Sequence, residues 1–204
     1  MTRQPMVLRL PMADRFDAPR SSQLGESDAA AVSRQLGREP RGALGIAHRC
    51  ACGEPDVVAT LPRLPDGTPF PTLYYLTCPR AAAAIGTLES SGLMRTMEEQ
   101  LADDADLAAA YRAAHDAYLR ERADLGEVPE IAGISAGGMP DRVKCLHVLV
   151  AHALAAGPGV NPLGDEALAL LPDWWIPMSC AADAAAGVVE ESADGSVAPD
   201  GVAR

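Results

Sequence analysis

"PDVVATLPRLPDGTPFPTLYYLTCP", residues 55–79, decides what kind of fold this chain can form. Residues 57–61 and 73–77 are rich in Val, Leu, Tyr and Thr, the side chains that favour strands. Between them lies Pro-Asp-Gly turn chemistry. Pro62, Pro65, Pro69 and Pro71 each remove a backbone donor, so this connection suits a sheet edge or a covering loop rather than a central strand. The segment reads as a β-hairpin with a long, stiff connection.

The chain on either side reads as helix. "SDAAAVSRQLG" (27–37) has a capping serine, good helix formers and a glycine stop. Pro79 fits the first position of a helix with Cys78 at its cap, and "RAAAAIGTLESSG" (80–92) continues it. "LMRTMEEQLADD" (93–104) and "ADLAAAYRAAHDAYLRERADLG" (105–126) give two more, the second with Leu107, Tyr111, Ala114, Tyr118 and Leu119 at helical spacing. After the irregular, Gly-rich 128–140, Pro140 is expected to open a helix through "RVKCLHVLVAH" (142–152) to about Gly157. "GPGVNPLGDEALALLPDWW" (157–175) closes the ordered chain, with Trp174 and Trp175 as apolar anchors. The fold class expected is therefore α+β: one mostly helical domain, residues 25–180, with a small hairpin carrying a Cys-rich site. Residues 1–24 show no period, and residues 181–204 carry five carboxylates against one arginine. Both segments read as disordered, the second as a solvated acidic tail.

Composition narrows the function. The chain has 204 residues, of which 48 % are apolar but only 4 % aromatic, so its core is built from Ala, Leu and Val. A net charge of −11 argues against nucleic-acid partners. No apolar run approaches the ~18 residues of a membrane span. "MTRQPMVLRLPMADR" (1–15) has no continuous apolar region of the signal-peptide kind. A cytoplasmic location follows as the expectation, and there clustered cysteines point to metal or chemistry before disulfides.

Four cysteines fall in the expected domain interior: Cys50, Cys52, Cys78 and Cys145. In "CACG" (50–53) two thiolates two residues apart can face one ion, and Gly53 lets the backbone fold around it. A hairpin can return Cys78 to that pair, and Cys145 would complete a four-cysteine set for zinc or an iron–sulfur cluster. Cys180, at the edge of the tail, is left outside. The plainer alternative is that these are small buried hydrophobes.

Within a continuous helix, Cys145 and His152 share a face but stand about 10 Å apart at 1.5 Å per residue, too far to chelate one ion. His147 lies about 200° around from Cys145 at ~100° per residue. On this reading the helix offers Cys145 alone to a metal, with His152 as a proton donor or acceptor lining the same cavity. "SAGGMPDRVK" (135–144) places Gly137 and Gly138 at a helix start with Arg142 and Lys144 in the next turn, a seat for a small phosphate or carboxylate ligand. Its spacing is not that of a nucleotide-binding loop, and the plainer alternative is that the glycines merely turn the chain. His115, between Tyr111 and Tyr118 at helical spacing, reads as a packing residue. No hydrolase, zinc-protease or kinase motif is present.

"RCACGEPDVV", "PRLPDGTPFPTLYYLTCPR", "EIAGISAGGMPDRVKCLHVLVAHALA" and "GVNPLGDEALALL" together resemble domain-of-unknown-function family 501, an uncharacterised bacterial family, over about residues 28–175. The resemblance implies no activity. It implies a gene neighbourhood with a septum-formation initiator and an exopolyphosphatase-like protein, which is association and not mechanism.

Three functions fit the sequence. The first is a protein binding zinc or an iron–sulfur cluster through the four cysteines. The second is a small enzyme with a reactive cysteine, its site drawn from Cys145 or Cys78, His152 and Arg142 beside the Gly-Gly-Met-Pro anion seat. The third is a non-catalytic interaction protein tied to cell division or polyphosphate metabolism.

Overall fold

The computed structural model describes residues 24–176 and Cys180. The segments read as disordered, up to residue 23 and from 181 on, lie outside the described residues.

Helix α1 (Glu26–Leu36) ends where expected, at Gly37 in the left-handed region with φ 66°. Next comes a three-stranded antiparallel sheet in the order β1 (Ala43–Arg49), β2 (Pro55–Thr60), β3 (Tyr74–Leu76). The expected hairpin is β2–β3, with Val57 opposite Leu76 and Ala59 opposite Tyr74. β1 was not anticipated. Its "ALGIAHR" lacks clean alternation, and its ladder to β2 is irregular between Ala43 and Gly45 and again between Ile46 and His48. With β1 on one side and β3 on the other, β2 becomes the central strand, and all six of its residues are buried. The buried Asp56 carboxylate is met by His48 Nδ1 at 2.8 Å.

Cys78 caps α2 (Pro79–Ser90), with Pro79 in its first turn. Then follow α3 (Leu93–Asp103) and α4 (Ala105–Leu125), whose Asp104 cap accepts the N–H groups of Asp106 and Leu107. The next helix departs from expectation. α5 spans Leu146–Ala156 and does not start at Pro140. Instead, Arg142 N–H donates to the Gly138 carbonyl at 3.0 Å and Lys144 N–H to Gly137 at 2.8 Å. These bonds fold residues 137–144 back on themselves, with both glycines at positive φ (74° and 97°). Cys145 is therefore the cap of α5, in extended conformation, and not a residue inside it. α6 (Pro162–Leu170) begins at Asn161, whose side chain accepts the Gly164 N–H.

α5 is the centre of the domain. Leu146, Leu149, Val150, Ala151, His152, Ala153 and Ala156 are all buried, and none of its other residues is exposed. His152 stacks on Tyr74 with ring centroids 5.8 Å apart and meets the edge of Tyr118 at 5.1 Å, while Asn161 Nδ2 lies 3.2 Å from its Nδ1. Among the described residues no helix is long and apolar enough to cross a membrane.

Arg122 on α4 secures the loops around this core. It is buried and donates to the carbonyls of Pro71, Ile134 and Ile131 at 2.9, 2.6 and 2.7 Å. Lysine keeps the charge but lacks the planar fork that spans three acceptors. Arg122→Lys is expected to lower stability by about 2 kcal/mol, read from the urea midpoint, because buried acceptors lose their donors.

Candidate metal centre

The turn joining β1 to β2 carries the first two cysteines. Cys50 N–H donates to the Glu54 carbonyl at 2.9 Å, and Gly53 N–H donates back to Cys50 at 2.8 Å. Gly53 sits at φ 89°, where a side chain would strain the turn. The turn buries Cys50 and half-buries Cys52. Cys78 follows from the other hairpin arm. It is fully buried, and its sulfur accepts the Ala81 N–H at 3.5 Å in the first turn of α2.

The chain beyond α6 supplies the next sulfur. Cys180 is fully buried, with its Sγ 3.7 Å from that of Cys50. The sulfurs of Cys50, Cys52 and Cys180 all lie within 4.8 Å of one another. Cys78 belongs to the same buried cluster and its thiol interacts with that of Cys180, while Ala81 and Trp174 complete the enclosure. The five cysteines are free of disulfides.

The thiols do not titrate alike. Burial raises Cys50, and burial together with the neighbouring thiols, Cys78 foremost, drives Cys180 far higher. Cys52 moves down: burial opposes this, but hydrogen bonds from the Cys180 and Glu54 backbones and from the Cys50 and Cys180 thiols outweigh it.

Of the four cysteines expected to form one set, only Cys50 and Cys52 fall in the group whose sulfurs all lie within 4.8 Å of one another, and the third member of that group is Cys180. Cys78 lies in the same buried cluster, next to Cys180, but outside that group. Cys145 lies elsewhere, beside Glu89 and His147. It caps α5 on the side where α2 passes, as the bond from Leu146 N–H to Glu89 at 2.7 Å records. His152 does not line a cavity with Cys145, because it is sealed between Tyr74 and Tyr118 in the core. The helix start on which the anion seat was built is absent, since α5 begins at Leu146. Arg142 turns to Glu98 at 3.7 Å, and the space a side chain at Gly138 would enter is filled by the Arg142 carbonyl, 2.7 Å from an added Cβ. Lys144 follows in the same folded loop and donates its N–H to Gly137. His115 packs as expected, with Nδ1 2.9 Å from Ser135 Oγ.

Cys180, Glu89 and His147 escaped the sequence reading. Cys180 is 130 residues from Cys50 and lies in a stretch without helical or strand period. The imidazole of His147 is pushed up to about 9, first by the Cys145 sulfur, against burial, and then by the Glu89 carboxylate.

No curated protein and no solved structure matches the chain. A family model described as "Protein of unknown function (DUF501)" matches residues 46–169, which take in most of the sheet, the Cys50–Cys52 turn, Cys78 and most of the helices. The chain belongs to the DUF501 family, as the LTCPR and VKCLH segments lead one to expect.

Proposed function

We propose that this protein holds one structural zinc ion through Cys50, Cys52, Cys78 and Cys180. The observation that carries the reading is the spacing of the sulfurs. Four thiolates about 2.3 Å from a tetrahedral zinc stand roughly 3.8 Å from one another. Cys50 and Cys180 stand 3.7 Å apart without help from an ion. An iron–sulfur cluster distributes its cysteines over several irons and spreads them further, so zinc fits better. Four sulfurs, largely buried, leave no open coordination position for a substrate, which favours a structural over a catalytic ion. The ion would join three parts of the chain, the β1–β2 turn, the start of α2 and the segment beyond α6.

The test is metal analysis of untagged protein purified under anaerobic conditions. The expected result is colourless protein with tightly held zinc and four thiols that react only after chelation or unfolding. Iron with visible absorption would replace zinc by an iron–sulfur cluster. A folded, metal-free protein in which Cys50, Cys52, Cys78 and Cys180 all pair into disulfides or label freely would sink the metal reading.

A further inference from the structure

Among the described residues, one more group of side chains besides the cysteine cluster converges, with mixed donor chemistry. A carboxylate oxygen of Glu89, the sulfur of Cys145 and a ring nitrogen of His147 all lie within 4.8 Å of one another. We propose that Glu89, Cys145 and His147 form a second metal site, separate from the cysteine cluster, that takes an exchangeable divalent ion of the zinc class and keeps a coordination position open to solvent.

The donors are already oriented for this. His147 Nε2 lies 3.2 Å from the Ala82 carbonyl, to which it donates. That bond leaves Nδ1 as the nitrogen for an ion, and Nδ1 faces Glu89 Oε1 at 3.1 Å. A carbonyl holding the far nitrogen of a histidine is the usual outer support of a ligating imidazole. Glu89 is fixed as well, since its Oε1 accepts the Leu146 N–H at 2.7 Å. Ala82 and Glu89 both belong to α2, so one helix sets the ring and the carboxylate together. Cys145 is held by the extended backbone of the α5 cap.

The donor set selects the ion. One thiolate, one imidazole and one carboxylate suit zinc and its transition-metal neighbours, while magnesium and calcium require oxygen. Two anionic donors balance a divalent charge. Three protein ligands leave a fourth position, the arrangement of sites that bind water or substrate. Solvent reaches it, because the Glu89 and His147 side chains are 24 % and 31 % exposed and Cys145 is partly exposed. The same geometry disfavours a thiol–imidazole–carboxylate relay. A relay needs one ring nitrogen for the carboxylate and the other for the sulfur, and here the other is bonded to Ala82.

The experiment is zinc titration of the stripped, full-length chain against a chromophoric chelator, with native mass spectrometry giving the stoichiometry. Two equivalents are expected, one tight and one at least tenfold weaker. Cys145→Ser and His147→Asn each remove the weaker equivalent and keep the tight one, while Cys180→Ser removes the tight one. If the cysteine cluster binds nothing, the native chain takes up one equivalent and Cys145→Ser none, so the two proposals fail separately. In case a variant misfolds, the native chain supplies a second readout: zinc should slow iodoacetamide labelling of Cys145 at least tenfold, measured on its peptide. Unchanged stoichiometry in folded Cys145→Ser and His147→Asn, or Cys145 labelling indifferent to zinc, overturns the second site.

Discussion

Cys180→Ser is expected to release the tightly held zinc and to leave a protein that unfolds far below the melting temperature of the native chain. The size of the effect follows from linkage. A structural zinc contributes on the order of 10–16 kcal/mol of apparent binding energy, against a net stability of about 5–15 kcal/mol for an ordinary domain. Serine leaves the tetrahedron with a weak neutral donor in a pocket enclosed by Trp174 and Ala81. Thermal melts with and without a strong chelator measure the loss. The chelator should lower the transition of the native protein and do nothing further to Cys180→Ser. Cys145→Ser, outside the cluster, should keep that chelator-sensitive transition. A Cys180→Ser protein that melts with the native one and carries its full zinc would remove Cys180 from the centre.

Gly164→Ala should be nearly as severe, for reasons that involve no metal. Gly164 lies in the first turn of α6, against α5. A methyl group there would stand 2.3 Å from the Leu149 carbonyl oxygen and 2.9 Å from Ala153 Cβ. The obstacle is mostly backbone, so no side-chain rotation relieves it, and the helices must separate. Overpacking typically costs about 1–3 kcal/mol, and a clash with fixed backbone belongs above that range. We expect a loss of more than about 3 kcal/mol in chemical denaturation. Gly86 is the internal control. It too lies in a helix, α2, but an added Cβ meets nothing within 4 Å. Gly86→Ala should raise stability by about 0.5–1 kcal/mol through helix propensity alone. Equal effects at the two glycines would mean that the α5–α6 contact is not as close as described.

The features legible in the sequence were those written in local chemistry. Pro79 behind Cys78 and Gly37 after α1 mark helix ends within a residue or two, because caps and stops act over one turn. The β2–β3 arms were visible through their Val and Tyr content. β1 was not, since a strand with Gly45 in it and an irregular ladder carries no alternating pattern. Treating Pro140 as a helix start placed Cys145 inside a helix. That error decided the fate of His147, because the ~100° step that sets residues 145 and 147 apart holds only within a helix. Cys145 is extended, with φ −158° and ψ 110°, and the rule does not reach it. Glu89 and Cys180 were invisible for another reason. What brings them to their partners is the packing of α2 beside α5 in one case and the return of the chain after α6 in the other, and neither leaves a local mark.

α5 touches β3, β1 and β2 on one side and α2 and α6 on the other. Because none of its residues is more than partly exposed, it has no stable half-docked position. Settled on the sheet without α6, it would leave an apolar flank in water; joined to α6 without the sheet, it would leave the opposite flank exposed. The sheet and the helical layer thus lack independent melting units, and the domain opens as a single cooperative block.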